Sequence, residues 1–471
     1  MYVIKLNIFL ILMFFHVTDC VRRITGGSPI TVDKSYVVYL VKASLSVKVY
    51  DAWLCGGAIV SSIFIISSAA CVDDVEYMYA IAGYKKYVTD KVLVRDTCTK
   101  KRMKKIVYTC VPVKYELEYD KLEKWSFIDI ALLKVESPYD FTDNTYKSEC
   151  SYIPTAIAVN YESKYQSVDT DAMVLGWGHA EVWRKPGDTT NYNQETLHFA
   201  PTLIINKQIC KKHYEMFPNM SDVIDQFMIC TMGKGNLNDA GETMLQSKPT
   251  ANGCQGPQKL AGEGNDEECD YKNTEDHDLV DNTRRELNEF NQTHYNDSDP
   301  RNTNSSSTLN ETTNTLRNSG ICQNDHGGPL VTWVGTREVL IGVASVFKVS
   351  EDSKCTGPYL YTSTQCNGAF LDCVLSQGAN IDRERQALCD SPPIQRGYDT
   401  VERHISWRNH PAGPAENEIE EAKENFLGYN TPNNPKVDEK KSVDLKEKFA
   451  RLDKFSEHNL FAVRPQRPLT N

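Results

Sequence analysis

The chain has 471 residues, of which 40% are hydrophobic, so it can bury a sizeable core. Its formal net charge of -11 at pH 7 argues against nucleic acids and anionic membranes as partners, because both attract basic patches. Fifteen cysteines without a short-spaced zinc-type cluster of Cys and His indicate disulfides formed in an oxidising compartment. We therefore expect a secreted, extracellular protein with no cofactor, no bound metal and no membrane contact.

The N-terminus carries a targeting signal. Lys5 precedes an apolar run over residues 6–15, and a more polar segment over residues 16–20 follows. The run is short for a bilayer-spanning helix, so we predict a signal peptide over residues 1–20, with a membrane anchor as the alternative. Residues 21–23 would then be a short prosegment.

Strand-like segments follow in chain order. Tyr36–Lys42 is rich in β-branched and aromatic residues, and Cys55-Gly-Gly-Ala-Ile-Val leads on to Ile65-Ile-Ser-Ser-Ala-Ala-Cys71. Further along come Asp129-Ile-Ala-Leu-Leu-Lys134 and Leu175-Gly-Trp-Gly178.

The most informative motif of the chain is the segment Cys322-Gln-Asn-Asp-His-Gly-Gly-Pro-Leu330. It resembles the nucleophile loop of the chymotrypsin- and trypsin-like serine proteases, which reads Cys-Gln-Gly-Asp-Ser-Gly-Gly-Pro-Leu. The earlier strand segments resemble the same family, and the resemblance covers residues 24–232 and 319–375. It implies an all-β fold, a double antiparallel β-barrel within a protease-like domain over residues 24–390.

The resemblance also implies that the catalytic triad is not intact. Ala70 stands at the general-base histidine and His326 at the nucleophilic serine, whereas Asp129 keeps the place of the orienting acid. Asn324 replaces a glycine of the oxyanion loop, which also includes position 326. Asp129 would then have no imidazole to orient and would accept hydrogen bonds from backbone or from Ser345.

His326 could still join Asp129 in a new acid–base pair or a two-residue metal site. Two ligands fall short of the three that a catalytic zinc site normally has. We therefore expect the ring to fill the former cleft.

Two further family features map onto this chain. Cleavage after Arg23 would free the α-amino group of Ile24 to pair with Asp325, the alternative being a dibasic processing site without a structural switch. The former specificity pocket would have Gly320 at its base and the rings of Phe347 and Tyr359 on its walls, so we expect it to be filled.

Residues 233–318 form a long insertion relative to the family. This stretch holds 16 Asp and Glu against 8 Lys and Arg and few aliphatic residues, so we expect it to be solvated and partly disordered. N-glycosylation sequons start at five asparagines: Asn219, Asn291, Asn296, Asn304 and Asn310.

The C-terminal extension over residues 391–471 is polar, and we expect it to be disordered. One helical pattern occurs within it, with apolar residues at Leu445, Phe449, Leu452 and Phe455. Such a helix would either dock on its own domain or bind a partner.

Without Cys20, which would leave with the signal peptide, fourteen cysteines remain. The resemblance implies Cys55–Cys71, Cys210–Cys230 and Cys322–Cys355, and it places Cys150 and Cys366 near positions bridged in trypsin-like members. The eight cysteines outside the first three pairs allow about a hundred connectivities, so proximity alone suggests Cys98–Cys110, Cys254–Cys269 and Cys373–Cys389.

Three functions follow as hypotheses. The first is a secreted, non-catalytic serine protease homologue that binds an extracellular protease, zymogen or inhibitor. The second is a secreted serine-type endopeptidase with unorthodox catalytic residues. The third is a structural secreted glycoprotein in which the insertion and the extension do the work.

Overall fold

A computed structural model describes residues 27–43, 54–89, 92–116, 121–244, 320–410 and 462–463, except positions 74, 76, 181, 185–187, 189, 234 and 378–382. Several sequence predictions lie outside these residues. They are the signal peptide, the prosegment and Ile24, the Cys254–Cys269 bridge, most of the insertion, the four sequons from Asn291 to Asn310, and the helix around Leu445–Phe455.

The first barrel is a closed ring of six antiparallel strands. After the two-residue strand β1 (Ser28–Pro29), these are β2 (Val37–Lys42), β3 (Leu54–Ile59), β4 (Phe64–Ser67), β5 (Met78–Ile81), β6 (Lys104–Pro112) and β7 (Ala131–Val135). The ring order is β5–β2–β3–β4–β7–β6, and β6 closes the ring by pairing with both β5 and β7.

The second barrel is also a closed ring of six antiparallel strands. After β8 (Ala158–Val159), these are β9 (Asp171–Gly176), β10 (His198–Ile204), β11 (Met228–Met232), β12 (Pro329–Val334), β13 (Arg337–Val349) and β14 (Cys355–Ser363). The ring order is β10–β11–β14–β13–β12–β9, and pairing of β9 with β10 closes it. The predicted double barrel is confirmed, and its second half is assembled from strands on both sides of the insertion.

The apolar run in β2 is buried on both of its faces. Val38 and Leu40 point into the core of the first barrel, and Val37, Tyr39 and Val41 point into a second core that the two barrels share. Tyr39 meets Trp177 there, with ring centroids 4.9 Å apart, and Trp177 Nε1 donates to the Lys85 carbonyl at 2.9 Å. This shared core fixes the two barrels against each other and places their loops at one cleft.

Short helices connect the strands. They are α1 (Ala69–Asp73), α2 (Thr97–Arg102), α3 (Leu122–Ser126), α4 (Tyr146–Glu149), α5 (Lys207–His213), α6 (Met220–Phe227), α7 (Gly368–Leu375), α8 (Arg383–Asp390) and α9 (Pro393–Arg396). Asn219, which begins the first sequon, is exposed immediately before α6. Its glycosylation stays a prediction.

Five disulfides occur in the described part of the chain. The expected bridges Cys55–Cys71, Cys210–Cys230, Cys322–Cys355 and Cys373–Cys389 are present, and the fifth joins Cys98 to Cys150. The predicted pairs Cys98–Cys110 and Cys150–Cys366 are therefore wrong. Cys110 is a buried free cysteine, and Cys366 is an exposed one.

The contacts of the helix that carries Cys98 explain why Cys98 pairs with Cys150. Cys98 lies in α2, and Arg102 of the same helix binds Glu149 at the end of α4, 2.6 Å from Nε to Oε2. Cys150 follows Glu149 directly, so this contact brings the two cysteines together. Cys110 lies in β6 with its side chain in the core between the barrels.

The start of the C-terminal extension is folded, in contrast to the expectation for residues 391–471. A fifteenth strand, β15 (Thr400–His404), pairs antiparallel with β6 of the first barrel. Trp407 follows it and is only 2% exposed, and its Nε1 donates to the Ile106 carbonyl at 2.9 Å. Residues up to 410 thus belong to the first barrel.

The start of the insertion, up to residue 244, is folded as well. Asp239 is buried, and it accepts hydrogen bonds from the Val32 N–H at 3.0 Å and from Thr31 Oγ1 at 2.8 Å. These contacts tie the first residues of the insertion to the segment that precedes the first barrel.

Candidate functional site

Asp129 is the centre of a buried hydrogen-bond network between the barrels. It lies just before β7 and is 0% exposed. Its Oδ1 accepts from Ser68 Oγ at 2.5 Å and from the Ala70 N–H at 2.9 Å, and its Oδ2 accepts from Ser345 Oγ at 2.7 Å. The backbone and Ser345 donors expected for Asp129 are therefore both in place.

His326 completes this network. Its Nε2 lies 2.8 Å from Asp129 Oδ2, and the ring is 2% exposed with its centroid 6.2 Å from that of Trp125. The expectation that Asp129 has no imidazole to orient is therefore wrong, because the ring at the nucleophile position turns toward the carboxylate.

The electrostatics of Asp129 follow from these partners. Burial by itself raises the pKa of the carboxyl, but the neighbouring His326 and the donors from Ser68 and Ala70 outweigh it, and the pKa is lowered from its ordinary value. Asp129 therefore stays ionised in the folded protein at neutral pH.

Ala70 contributes only its backbone to the site. It lies in α1 directly after β4, is fully buried, and uses its N–H to bind Asp129 and Ser68 Oγ. Its methyl group can neither accept nor deliver a proton. The two serine hydroxyls that contact Asp129, from Ser68 and Ser345, are both 0% exposed and donate to that carboxylate, so neither faces an incoming substrate.

The two glycines after His326 are required by close packing of backbones. A Cβ placed on Gly56 of β3 would lie 2.6 Å from the Gly328 Cα, and the Gly56 N–H donates to the His326 carbonyl at 2.8 Å. Gly327 has φ of 79°, which favours glycine. The loop thus requires glycine at both positions for reasons of packing that do not depend on catalysis.

Asp325 points into the second barrel. Its Oδ1 accepts the Gly178 N–H at 2.8 Å and its Oδ2 accepts the Cys322 N–H at 3.0 Å. Burial raises the pKa of Asp325 to about 7, although these two hydrogen bonds act in the opposite direction. The partner expected for Asp325, the α-amino group of Ile24, lies outside the described residues.

Asn324 is held by side chains of the second barrel. Its Nδ2 donates to Asn193 Oδ1 at 2.8 Å and lies 3.3 Å from His179 Nε2. Burial lowers the pKa of His179 to about 4, so this imidazole is neutral at pH 7. Asn324 has φ of 73°, a left-handed conformation that asparagine tolerates better than most residues.

The three residues expected around the specificity pocket are all buried. A Cβ on Gly320 would overlap the ring of Tyr359, which is fully buried. Phe347 is 1% exposed, and its ring centroid lies 5.9 Å from that of Trp183. Tyr359 thus packs directly against Gly320, and Phe347 lies in the same hydrophobic cluster as Tyr359.

Some site residues were not identified from the sequence. Ser68, Asn193 and Trp125 all contact residues that the sequence singled out, yet none carries a pattern of its own. Only Ser68 had an available signal, since it stands two residues before Ala70. Among the residues that the structure describes, no group of three His, Cys, Asp or Glu side chains is arranged to hold a metal ion.

Comparison with known proteins matches this geometry. The family model described as Trypsin matches residues 24–254, just under half of the chain, so this stretch is similar to the trypsin family. Coagulation factor XI of Bos taurus is 26% identical over 161 residues, which is 34% of this chain and 22% of that protein. The matched region therefore spans about a fifth of the length of that relative.

Proposed function

We propose that this trypsin-family domain is a secreted, non-catalytic serine protease homologue. It acts as a binding, adaptor or regulatory protein in an extracellular protease system, with a protease, a zymogen or an inhibitor as its partner. The observation that carries the proposal is the 2.8 Å contact between His326 Nε2 and Asp129 Oδ2, with Ala70 at the position of the general base.

The chemistry of acyl transfer explains why this contact supports the proposal. The reaction needs an activated nucleophile and a base that takes its proton and returns it to the leaving group. Here the only imidazole that binds Asp129 in the described chain stands at the nucleophile position and contacts the carboxylate directly. The aromatic packing beside Gly320 further supports loss of substrate binding.

Secretion has separate support. Five disulfides among the described residues fit an oxidising compartment. No helix in the described ranges has the length and apolar character needed to cross a membrane. The bovine relative is named as a coagulation factor, which is consistent with an extracellular protease system.

A serine-directed phosphonate probe tests the loss of a nucleophile. Such a probe forms a covalent bond only with an activated serine, so we expect intact mass spectrometry to show no adduct on this protein, whereas trypsin in a parallel sample is labelled fully. An adduct on Ser68 or Ser345 would contradict the proposal and would identify the substitute nucleophile of the endopeptidase alternative.

The glycoprotein alternative places the function in the insertion. Deletion of residues 240–315 separates it from the adaptor hypothesis. We expect the deletion variant to bind a panel of immobilised trypsin-like proteases, zymogens and inhibitors as the full chain does, because the barrel surface remains. Loss of all binding on deletion would favour the glycoprotein function.

A further inference from the structure

The long strand β13 extends beyond one of its two neighbours. β12 pairs with β13 from Arg337 to Val343, whereas β14 pairs with it from Gly342 to Val349 on the opposite edge. The loop after His326 covers the β12 edge of β13 for one more residue. The Gly327 N–H donates to the Ala344 carbonyl at 2.8 Å, and the Ala344 N–H donates to the Gly328 carbonyl at 2.9 Å. From Ser345 onward, β12 no longer covers this edge of β13.

A strand from the C-terminal segment lies on this edge. β16 (Ala462–Val463) pairs in parallel with β13, with Ala462 opposite Phe347 and Val463 opposite Lys348. Lys348 also faces Thr356 of β14, so the β14 edge of β13 is already occupied there. β16 therefore pairs with the edge that β12 leaves.

The paired edge is close in sequence to the buried network. Ser345, which donates to Asp129, is two residues before Phe347 in the same strand. An unpaired strand edge offers backbone donors and acceptors that readily add another extended chain. The edge of β13 beside the Asp129–His326 pair is thus a strand-binding surface that residues 462–463 occupy.

The length of the connection allows this docking within one molecule. Residues 411–461 separate the end of the folded extension from β16, and an extended chain covers up to ~3.5 Å per residue. Pro465 follows β16 by two residues and limits continuation of the pairing, because proline has no N–H to donate.

We propose that the C-terminal segment containing Ala462–Val463 docks in cis as an added strand on β13 and is an intramolecular occupant of this edge. The segment competes with any extended peptide that a partner brings to the same place. This competition for the β13 edge does not depend on whether the domain hydrolyses peptides. Failure of the docking would therefore not bear on the proposed function.

Hydrogen–deuterium exchange of the full-length protein tests the docking. The double substitution Ala462→Pro and Val463→Pro removes the backbone N–H groups of β16, and Thr470→Pro is the control in the same segment. We expect amides of residues 345–349 to exchange about tenfold faster in the double variant, corresponding to a loss of about 1.4 kcal/mol of local protection, and no change in the control. Equal exchange in the double variant and the wild type would overturn the proposal.

A second measurement identifies the occupant. A fluorescent peptide with the sequence of residues 458–467 should bind the full-length double-proline variant and not the wild type, whose edge is occupied, while a scrambled peptide binds neither. Binding of the peptide to both proteins or to neither would contradict docking in cis. Protection of residues 345–349 that rises with protein concentration would also overturn it, because the segment would then come from a second copy.

Discussion

The imidazole Nε2 of His326 lies 2.8 Å from Oδ2 of Asp129, and both side chains are buried. The two residues come from different barrels, since Asp129 precedes β7 and His326 precedes β12. The contact therefore joins the barrels at the place where the resemblance to serine proteases puts a catalytic triad. In this chain it forms part of the packing between the barrels.

Substitution Asp129→Ala should strongly destabilise the protein. It leaves the Ser68 and Ser345 hydroxyls, the Ala70 N–H and the His326 ring without their shared acceptor in a buried site. Removing one partner of a buried pair costs about 3–5 kcal/mol, which urea unfolding would measure. The control Glu215→Ala removes an exposed carboxylate and should change the free energy of unfolding by less than about 0.5 kcal/mol. Similar small effects of both substitutions would show that the network contributes little to stability.

The Trp407 side chain should anchor the C-terminal extension to the first barrel. Its ring packs against Tyr77 and Tyr79, with centroids 5.3 and 5.1 Å away, and it is 2% exposed. Trp407→Ala should lower the free energy of unfolding by about 3–5 kcal/mol, as measured by urea unfolding. Ile394→Ala truncates an apolar side chain that is 93% exposed in the same extension, and it should have almost no effect. Equal stabilities of the two variants would place the extension outside the cooperative fold.

The two free thiols among the described residues should differ in reactivity. Cys366 is exposed, whereas Cys110 is buried and burial raises the pKa of its thiol to about 11. Iodoacetamide should therefore modify Cys366 in the native protein and Cys110 only after unfolding, because the thiolate is the reactive form. Peptide mapping of the same sample should find Cys98 linked to Cys150. A peptide that links Cys150 to Cys366 would contradict the structure.

The buried carboxyl of Asp325 should make stability depend on pH. Its pKa is about 7 in the folded protein and about 3.9 in an unfolded chain, so between these values the folded protein holds a proton that the unfolded chain has lost. The contribution of Asp325 to the free energy of unfolding is then full below about pH 4 and falls as pH rises to about 7, by up to roughly 4 kcal/mol.

Asp325→Asn removes this titration. Urea unfolding between pH 4 and 7.5 should show a smaller fall in stability for the variant than for the wild type. At pH 4 the variant should be the less stable of the two, because asparagine keeps only one acceptor oxygen. Cleavage after Arg23 should also reduce the fall, since an α-ammonium group from Ile24 would favour the ionised carboxyl. Parallel pH profiles for the wild type and Asp325→Asn would contradict the raised pKa.

The barrels could be predicted because the segments that form them carry strong local signals. The run Val37–Val41 is apolar at every position since both of its faces are buried, and the glycines at 56 and 328 are fixed by backbone contact. The resemblance of the loop and of two earlier segments to serine proteases likewise placed Ala70, Asp129 and His326 in one site. The orientation of the His326 ring could not be predicted. It is set by the contact with Asp129, whose other hydrogen-bond donors come from segments that are far apart in the sequence.

The errors have a common physical origin. The Cys98–Cys150 bridge depends on Arg102 binding Glu149 across two short helices, and proximity along the chain does not encode that contact. The folded residues up to 410 depend on the pairing of β15 with β6 and on Trp407, whereas the average composition of residues 391–471 is polar. Both the Cys98–Cys150 bridge and the folded residues up to 410 depend on a few contacts between residues that are far apart in the sequence.

Steady-state hydrolysis is the measurement that tests the absence of catalysis most directly. The purified protein, cleaved after Arg23, is assayed with a broad panel of peptide and ester substrates beside its Asp129→Ala variant. We predict no rate above buffer for either protein, because a methyl group stands at position 70 and an imidazole at position 326. Turnover by the cleaved wild type that Asp129→Ala abolishes, in a variant shown to remain folded, would contradict the account and identify a working catalytic site at Asp129 and His326.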